Sequence, residues 1–444
     1  MKKLIKLTLI LFSILFLSLI YNSNSFNNKK KITLDNNITI NHMLCPMDDC
    51  YYYLKNLNYT NGLCFLYNID DFGYNLLTDN RTKNIIIYEY YKNKRLNETI
   101  SLNTDHLMHL KICFFDNITI TGSLNPTESG FFSQTNDILS IESHELKNKL
   151  KKSLLNSVKK CKTSNNKDIS TNCLKKNLPI VKSSDESFIM KFNNFEEQLI
   201  SEFSNKDTLS FILFYFNLDR LFKNIIDKLD IGILNKNSDH LILDEINQTT
   251  LKKLDIIDKI MIHNKLFFSK NLTITGSYNP TNNGKLRNLE NIVILKNHYQ
   301  KNFEKLDQYS NFIKELDFTF RESDITLKKE DTLISELLFD CPKKNNPINK
   351  NYCKEYIRID SSDDITGYRI LIYYQFRGEN YSRNILINSN KFHTDQLVKR
   401  DAFLVLLDRS YNIVDYMNYY SYESEKIIKR EIIDNKLIRS YKEI

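Results

Sequence analysis

One pattern of apolar and polar positions occurs twice along this chain. Residues 118 to 127 read ITITGSLNPT and residues 272 to 281 read LTITGSYNPT. Upstream, His109-Leu110-Lys111 is matched by His263-Asn264-Lys265, and every position in the block recurs 154 residues later without a slip in register. The likeness extends outward, from the apolar run beginning at Gly62 to the one beginning at Leu209. Downstream, Asp137–Ile141 matches Asn291–Leu295. Short β-leaning runs predict strands, and the apolar spacing around Leu146, Leu150, Leu154 and Leu155 predicts an amphipathic helix. Helices are expected over about Glu145 to Lys160 and Tyr299 to Leu316. The repeating unit is therefore strand, helix, strand hairpin, strand, helix, which predicts an α/β sheet layered with helices.

Between the copies, residues 161–186 are polar and rich in Lys, Asn and Ser, the texture of a linker or surface loop. After about Lys329 the rhythm changes. Short alternating runs at Ile334–Phe339, Glu355–Ile359, Tyr368–Phe376, Asn384–Asn388, Ala402–Leu407 and Ile413–Tyr416 predict an all-β sandwich over 330–444. The Phe114-Phe115, Phe131-Phe132 and Phe267-Phe268 pairs are expected in the core.

The first 25 residues place Lys2, Lys3 and Lys6 before the apolar run Leu7–Ile20, as in an export signal that is either cleaved or kept as a single membrane anchor. The body is then expected outside the cytosol. Eight cysteines suit that compartment, and the pairs Cys161–Cys173 and Cys341–Cys353, each closing a short loop, are expected as disulfides. Cys45 and Cys50 lack a His/Cys partner pair at zinc-finger spacing, so no metal site is expected. The formal net charge of +8 over 444 residues permits a phosphate-rich substrate without requiring one.

In a strand, side chains two apart share a face, so His109 lies beside Lys111 and His263 beside Lys265. Turns at Asp116-Asn117 and Lys270-Asn271 fold each strand back, bringing Ser123 and Asn125, or Ser277 and Asn279, near the His and Lys. Cleaving a phosphodiester through a covalent intermediate needs two imidazoles, one to attack phosphorus and one to protonate the leaving oxygen. Two lysines supply fixed positive charge, a task otherwise often given to a metal ion. No cofactor is expected. His42, His106, His144, His240, His298 and His393 lack this repeated context and are expected to be structural.

HxKxxxxD followed by GSxN, present twice, resembles the phospholipase D superfamily over roughly residues 42–318. The first copy carries His109, Lys111, Asp116, Gly122, Ser123 and Asn125; the second carries His263, Lys265, Gly276, Ser277 and Asn279, with Lys270 in place of the family Asp. The resemblance implies two repeats, 42–160 and 187–318, packed pseudo-twofold around one cleft. It implies His109 as nucleophile and His263 as general acid, or the same two roles in the reverse order, with Ser123, Asn125, Ser277, Asn279, Asp116 and Glu290 as phosphate-binding or supporting residues. Glu290 stands where members of the family often carry an acidic residue, and its counterpart in the first copy is Asn136, which implies an asymmetric site. Both motifs lie in one chain, so no oligomer is required. The implied activity is hydrolysis of phosphodiester bonds in phospholipid or nucleic acid; a reading from another class is a phosphate-binding or surface interaction protein with a degenerate site. The C-terminal segment resembles a lamin-tail domain through Glu355-Tyr-Ile-Arg-Ile, Gly367-Tyr368 and Asp408–Asp415.

Overall fold

The computed structural model describes residues 31–34, 38–78, 84–90, 96–132, 134–162, 168–236, 252–296 and 300–326, then 338–340, 354–356, 358–361, 366–376, 379–387, 391–393, 402–419, 427–433 and 436–442. The expected leader, the Cys341–Cys353 pair, His240 and His298 lie outside the described residues.

The first repeat contributes strands β2 (Thr39–Cys45), β3 (Asn61–Leu66), β4 (Asn84–Tyr90), β5 (Ile100–Leu102), β6 (Lys111–Phe115), β7 (Ile118–Gly122) and β8 (Gln134–Glu142), preceded by β1 (Lys31–Leu34). The second contributes β11 (Leu209–Leu213), β12 (Leu229–Asn235), β13 (Leu254–Ile257), β14 (Met261–Ile262), β15 (Lys265–Ser269), β16 (Leu272–Gly276) and β17 (Ile292–Lys296). In both, a parallel pair (β3–β4 or β11–β12) is followed by an antiparallel run, β3-β6-β7-β8 or β11-β15-β16-β17. Strand β14 crosses over to pair with β8 of the other repeat, placing His263 at the border between the repeats. The isolated Met108–Leu289 bridge does the same for His109.

The two sheets meet where β7 faces β16. Thr121 Oγ1 accepts from Asn291 Nδ2 at 3.0 Å, and Thr275 Oγ1 donates to the Asp137 carboxylate. These four residues are paired at the same 154-residue interval, so the contact itself obeys the pseudo-twofold relation.

Each repeat ends in a helix, α1 (His144–Lys160) and, beyond the second, α3 (Gln300–Thr326). Ser143 caps α1 by accepting from the Leu146 N–H, and Leu146, Leu150, Leu154 and Val158 bury the expected stripe. Residues 161–186 correct the sequence reading. The described residues from 168 onward are not a surface loop: they include helix α2 (Thr171–Asn177) and strand β9 (Ile180–Ser183), which joins the large sheet between β1 and β10 (Phe188–Lys191). Leu174, Leu178 and Val181 are buried, and each such side chain contributes roughly 1.5–3 kcal/mol, which outweighs the polar average of the segment. The Cys161–Cys173 disulfide ties α2 to the end of α1. Two further pairs, Cys45–Cys50 and Cys64–Cys113, take up the remaining described cysteines, so Cys45 and Cys50 are a bridge and not ligands.

The C-terminal region is all β. One four-stranded sheet runs Glu379–Leu386, Arg369–Phe376, Ala402–Leu407, Ile413–Tyr419, and a second contains Lys391–His393, Arg358–Ser361, Ile427–Ile433 and Lys436–Lys442. Ile370, Ile387 and Leu406 enter the core of the first repeat with Leu54, Leu77 and Phe131. Leu371, Val405 and Leu407 enter a second core with Leu266, Tyr309 and Phe312. The first sheet therefore braces both repeats. Phe114, Phe115, Phe131, Phe267 and Phe268 are core residues.

Candidate active site

Gly122 and Gly276 begin the site. Both hold positive φ, 142° and 145°, and a Cβ would fall 2.2 Å from the Asp137 carbonyl oxygen or 2.3 Å from that of Asn291. Only glycine permits this approach. It lets the Ser123 N–H donate to Asp137 O at 3.1 Å and the Ser277 N–H donate to Asn291 O at 3.0 Å. The hydroxyls then turn inward, Ser123 Oγ accepting from the Asp137 N–H and Ser277 Oγ from the Asn291 N–H.

Those hydroxyls donate to the residues that orient the histidines. Ser277 Oγ donates to Glu290 Oε2 at 2.8 Å, and Ser123 Oγ to Asn136 Oδ1 at 3.3 Å. Glu290 Oε2 lies 2.7 Å from Nδ1 of His109, while Asn136 Oδ1 lies 2.7 Å from Nδ1 of His263. Each imidazole is thus held by the opposite repeat. The backbone repeats the exchange: His109 N–H donates to Leu289 O and His263 N–H to Thr135 O. Asn136 Nδ2 donates to Gly130 O at 2.8 Å, which fixes the carboxamide with its oxygen toward His263. Both Nδ1 atoms face acceptors, so Nδ1 carries the proton and Nε2 is the nitrogen left for chemistry.

Lys111 Nζ sits 3.1 Å from His109 Nε2 and also donates to His109 O, and Lys265 Nζ donates to His263 O at 2.6 Å. All four side chains are buried. Burial, then Lys111 and Lys265, hold the His109 imidazole well below its usual range; burial, then Lys265, Lys111 and His109, do the same to His263. Burial brings Lys111 down to about 7 against the opposing pull of Glu290, and burial together with Lys111 holds Lys265 well below its usual range. Glu290, fully buried, is pushed up to about 8 by desolvation, with Lys111 opposing. The centre therefore gathers four buried basic side chains beside the Glu290 carboxylate that pairs with His109, a surplus of basic groups that a bound phosphate can match.

Asn125 and Asn279 each keep a buried side-chain oxygen without a hydrogen-bond partner among the described residues. Asp116 is elsewhere: its carboxylate accepts from the Thr60 and Asn61 N–H groups at the turn end of β6, away from Lys111. Sequence reasoning placed it in the supporting set; its support is for the start of β3. Lys270 stands at the matching exposed turn, so its departure from the family Asp does not touch the centre.

Three neighbours escaped the sequence reading. Tyr67 and Phe214 follow β3 and β11, and their rings lie 5.3 Å from Lys111 Nζ and 5.4 Å from Lys265 Nζ. The same rings contact His109 and His263. Their signal was an aromatic residue directly after the first strand of each copy. Tyr309 of α3 donates from its hydroxyl to Cys45 O at 2.7 Å and lies 3.2 Å from Asn264 Oδ1, with no counterpart in the first repeat to announce it.

A family model described as "Cardiolipin synthase, PLD-like domain" matches residues 52–157 and 199–316, and each segment encloses one His/Lys pair. Among solved structures, phosphatidylserine synthase of Haemophilus influenzae Rd KW20 is similar at 11% identity over 65% of this chain and 89% of that one, with a TM-score of 0.43. A yeast tyrosyl-DNA phosphodiesterase mutant is similar at 12% identity over 59% and 90%, with a TM-score of 0.39. Nuc of Salmonella typhimurium, a phospholipase D family member, is similar at 15% identity over 28% and 93%, with a TM-score of 0.21. No curated protein sequence matches the chain.

Proposed function

Because the chain belongs to the phospholipase D-like family, we propose that it is a phosphodiesterase working through a phosphohistidine at His109. The observation that supports this reading best is the exchange of orienting groups, a carboxylate on His109 and a carboxamide on His263. Glu290 stabilises the positive imidazole that forms when Nε2 of His109 bonds to phosphorus. Asn136 is neutral, so it leaves protonated His263 a stronger acid.

In the first step the His109 Nε2 lone pair forms the N–P bond. The P–O bond to the leaving group breaks as His263 Nε2–H protonates that oxygen. In the second step His263 takes a proton from water, the hydroxide oxygen bonds to phosphorus, and the N–P bond breaks. Lys111 and Lys265, with the Asn125 and Asn279 carboxamides, hold the non-bridging oxygens. A phospholipid and a nucleic acid both present this bond. The three disulfides among the described residues fit an oxidising compartment, and we place the enzyme outside the cytosol, secreted or tethered at its N-terminus.

The test is turnover of bis(p-nitrophenyl) phosphate in EDTA by wild type, His109→Ala and His263→Ala. Turnover by wild type alone is expected. Activity lost to EDTA, or kept by either variant, would sink the mechanism. A parallel assay on DNA, RNA, phosphatidylcholine and cardiolipin assigns the substrate, and product analysis with added alcohol separates hydrolysis from transfer.

A further inference from the structure

Lys175 is the described lysine that the mechanism does not use and that burial does not explain. It lies on α2, in the segment between the repeats, and is 7% exposed. Its ammonium has no hydrogen-bond partner among the described residues. A buried cation without a partner is costly, and exchanging it for an apolar side chain would normally be favourable.

Its surroundings tie it to the catalytic centre. Thr171, at the start of α2, donates through both N–H and Oγ1 to Asp105 Oδ1 at 2.8 Å. Ile169 bridges Thr104, and Met108 bridges Leu289, so the stretch leading into His109 is held between α2 and the segment bearing Glu290. Asn193 Nδ2 donates to the Lys175 carbonyl, and the Cys161–Cys173 disulfide holds the other side of the helix. Burial holds the Lys175 ammonium below the usual lysine range, and Glu290 and then Asp105 pull the other way. Neither supplies it a hydrogen bond: Glu290 is engaged by His109, Ser277 and Asn288, and Asp105 by Thr171. His106 is the other titratable group beside Asp105.

We propose that Lys175 forms a second anion subsite next to the catalytic pairs, taking a phosphate that flanks the scissile phosphodiester in the substrate. The inference rests on the phosphodiesterase reading and deepens it. A flanking phosphate one short carbon linker away occurs in a nucleic-acid strand and in a diphosphatidyl lipid, and a substrate with a single phosphodiester lacks it. Lys175 then supplies specificity and binding without acting on the reacting bond, and the bound phosphate provides the partner the ammonium lacks.

Calorimetric binding to the full chain tests this without needing turnover. Thymidine 3′,5′-bisphosphate is compared with thymidine 5′-monophosphate, and glycerol 1,3-bisphosphate with glycerol phosphate. Wild type is expected to prefer a bisphosphate by about tenfold, the scale of one charge-assisted contact. Lys175→Met keeps the stem and removes the charge, so it should erase that preference, and Lys175→Arg should restore most of it. Preference for the nucleoside pair alone assigns a nucleic acid, and for the glycerol pair alone a phospholipid. No preference in wild type, or a preference that survives Lys175→Met, overturns the subsite. Turnover of bis(p-nitrophenyl) phosphate is read alongside: equal losses of kcat in Lys175→Met on that single-phosphate substrate would mean the lysine acts through Glu290 instead. Wild-type failure on bis(p-nitrophenyl) phosphate would count against the catalytic reading, while the binding preference would still decide the subsite.

Discussion

His109 and His263 occupy equivalent positions, yet one faces a carboxylate and the other a carboxamide. That difference in the orienting group decides how each imidazole carries charge. Glu290→Gln makes the two environments alike, and removing a charge-assisted hydrogen bond of about 1.5–3 kcal/mol should lower kcat on bis(p-nitrophenyl) phosphate roughly 10- to 100-fold. Lys270→Asp, which completes the family motif, should change kcat less than about twofold, because it alters an exposed turn outside the centre and surface changes are nearly neutral. A large gain on Lys270→Asp would mean that the turn reaches the site after all. The pH profile follows from the same residues. Lys111, brought down to about 7, is a cation below that value and neutral above it. His263 is depressed, so its proton-donating form is favoured by acid, and His109 is depressed, so its attacking form persists into acid. These three signs favour acid, whereas Glu290, pushed up to about 8, loses the charge that steadies the His109 imidazolium as pH falls through that value, so kcat/KM should follow a bell with its maximum below pH 8. An optimum above pH 8 would contradict the assignment of His263 as the acid.

At the scale of elements, the tight points are the two glycines and the helix between the repeats. Gly122→Ala places a methyl against the Asp137 carbonyl at positive φ, so β7 and β8 must separate where Ser123 is held. Strain of this kind costs about 1–3 kcal/mol. Urea denaturation should show that loss, together with a fall in kcat, since Ser123 and Asn136 move with the strand. The Cys161–Cys173 pair closes a loop of 12 residues' separation, so Cys173→Ser should cost up to about 3 kcal/mol and expose α2 to proteolysis before the sheets. The strands and α1 were legible because their apolar periodicity is local and occurs twice. Helix α2 and β9 were not, since Leu174, Leu178 and Val181 are spaced among lysines and asparagines and only their burial against both repeats reveals them. Asp116 misled for a related reason: a motif records which residues recur together, whereas a five-residue strand separates its carboxylate from the lysine it accompanies.

The whole molecule is organised by exchange between repeats. Thr135 and Asn136 of the first hold His263, and Leu289 and Glu290 of the second hold His109. A sequence reader finds the pairs His-Lys and Ser-Asn within each copy, but this cross-bracing is a property of the interface and has no linear signature. It has a kinetic consequence. A lone repeat retains a histidine and a lysine but loses the group that orients the ring, along with the second imidazole, so neither repeat can run a two-step displacement. When His109→Ala and His263→Ala chains are mixed, each folded molecule still contains one damaged centre, and both centres lack a needed imidazole. The mixture should therefore be as inactive as its components, at any protein concentration. Recovery toward about a quarter of the wild-type rate, growing with concentration, would show that repeats exchange between chains and that the working centre is intermolecular.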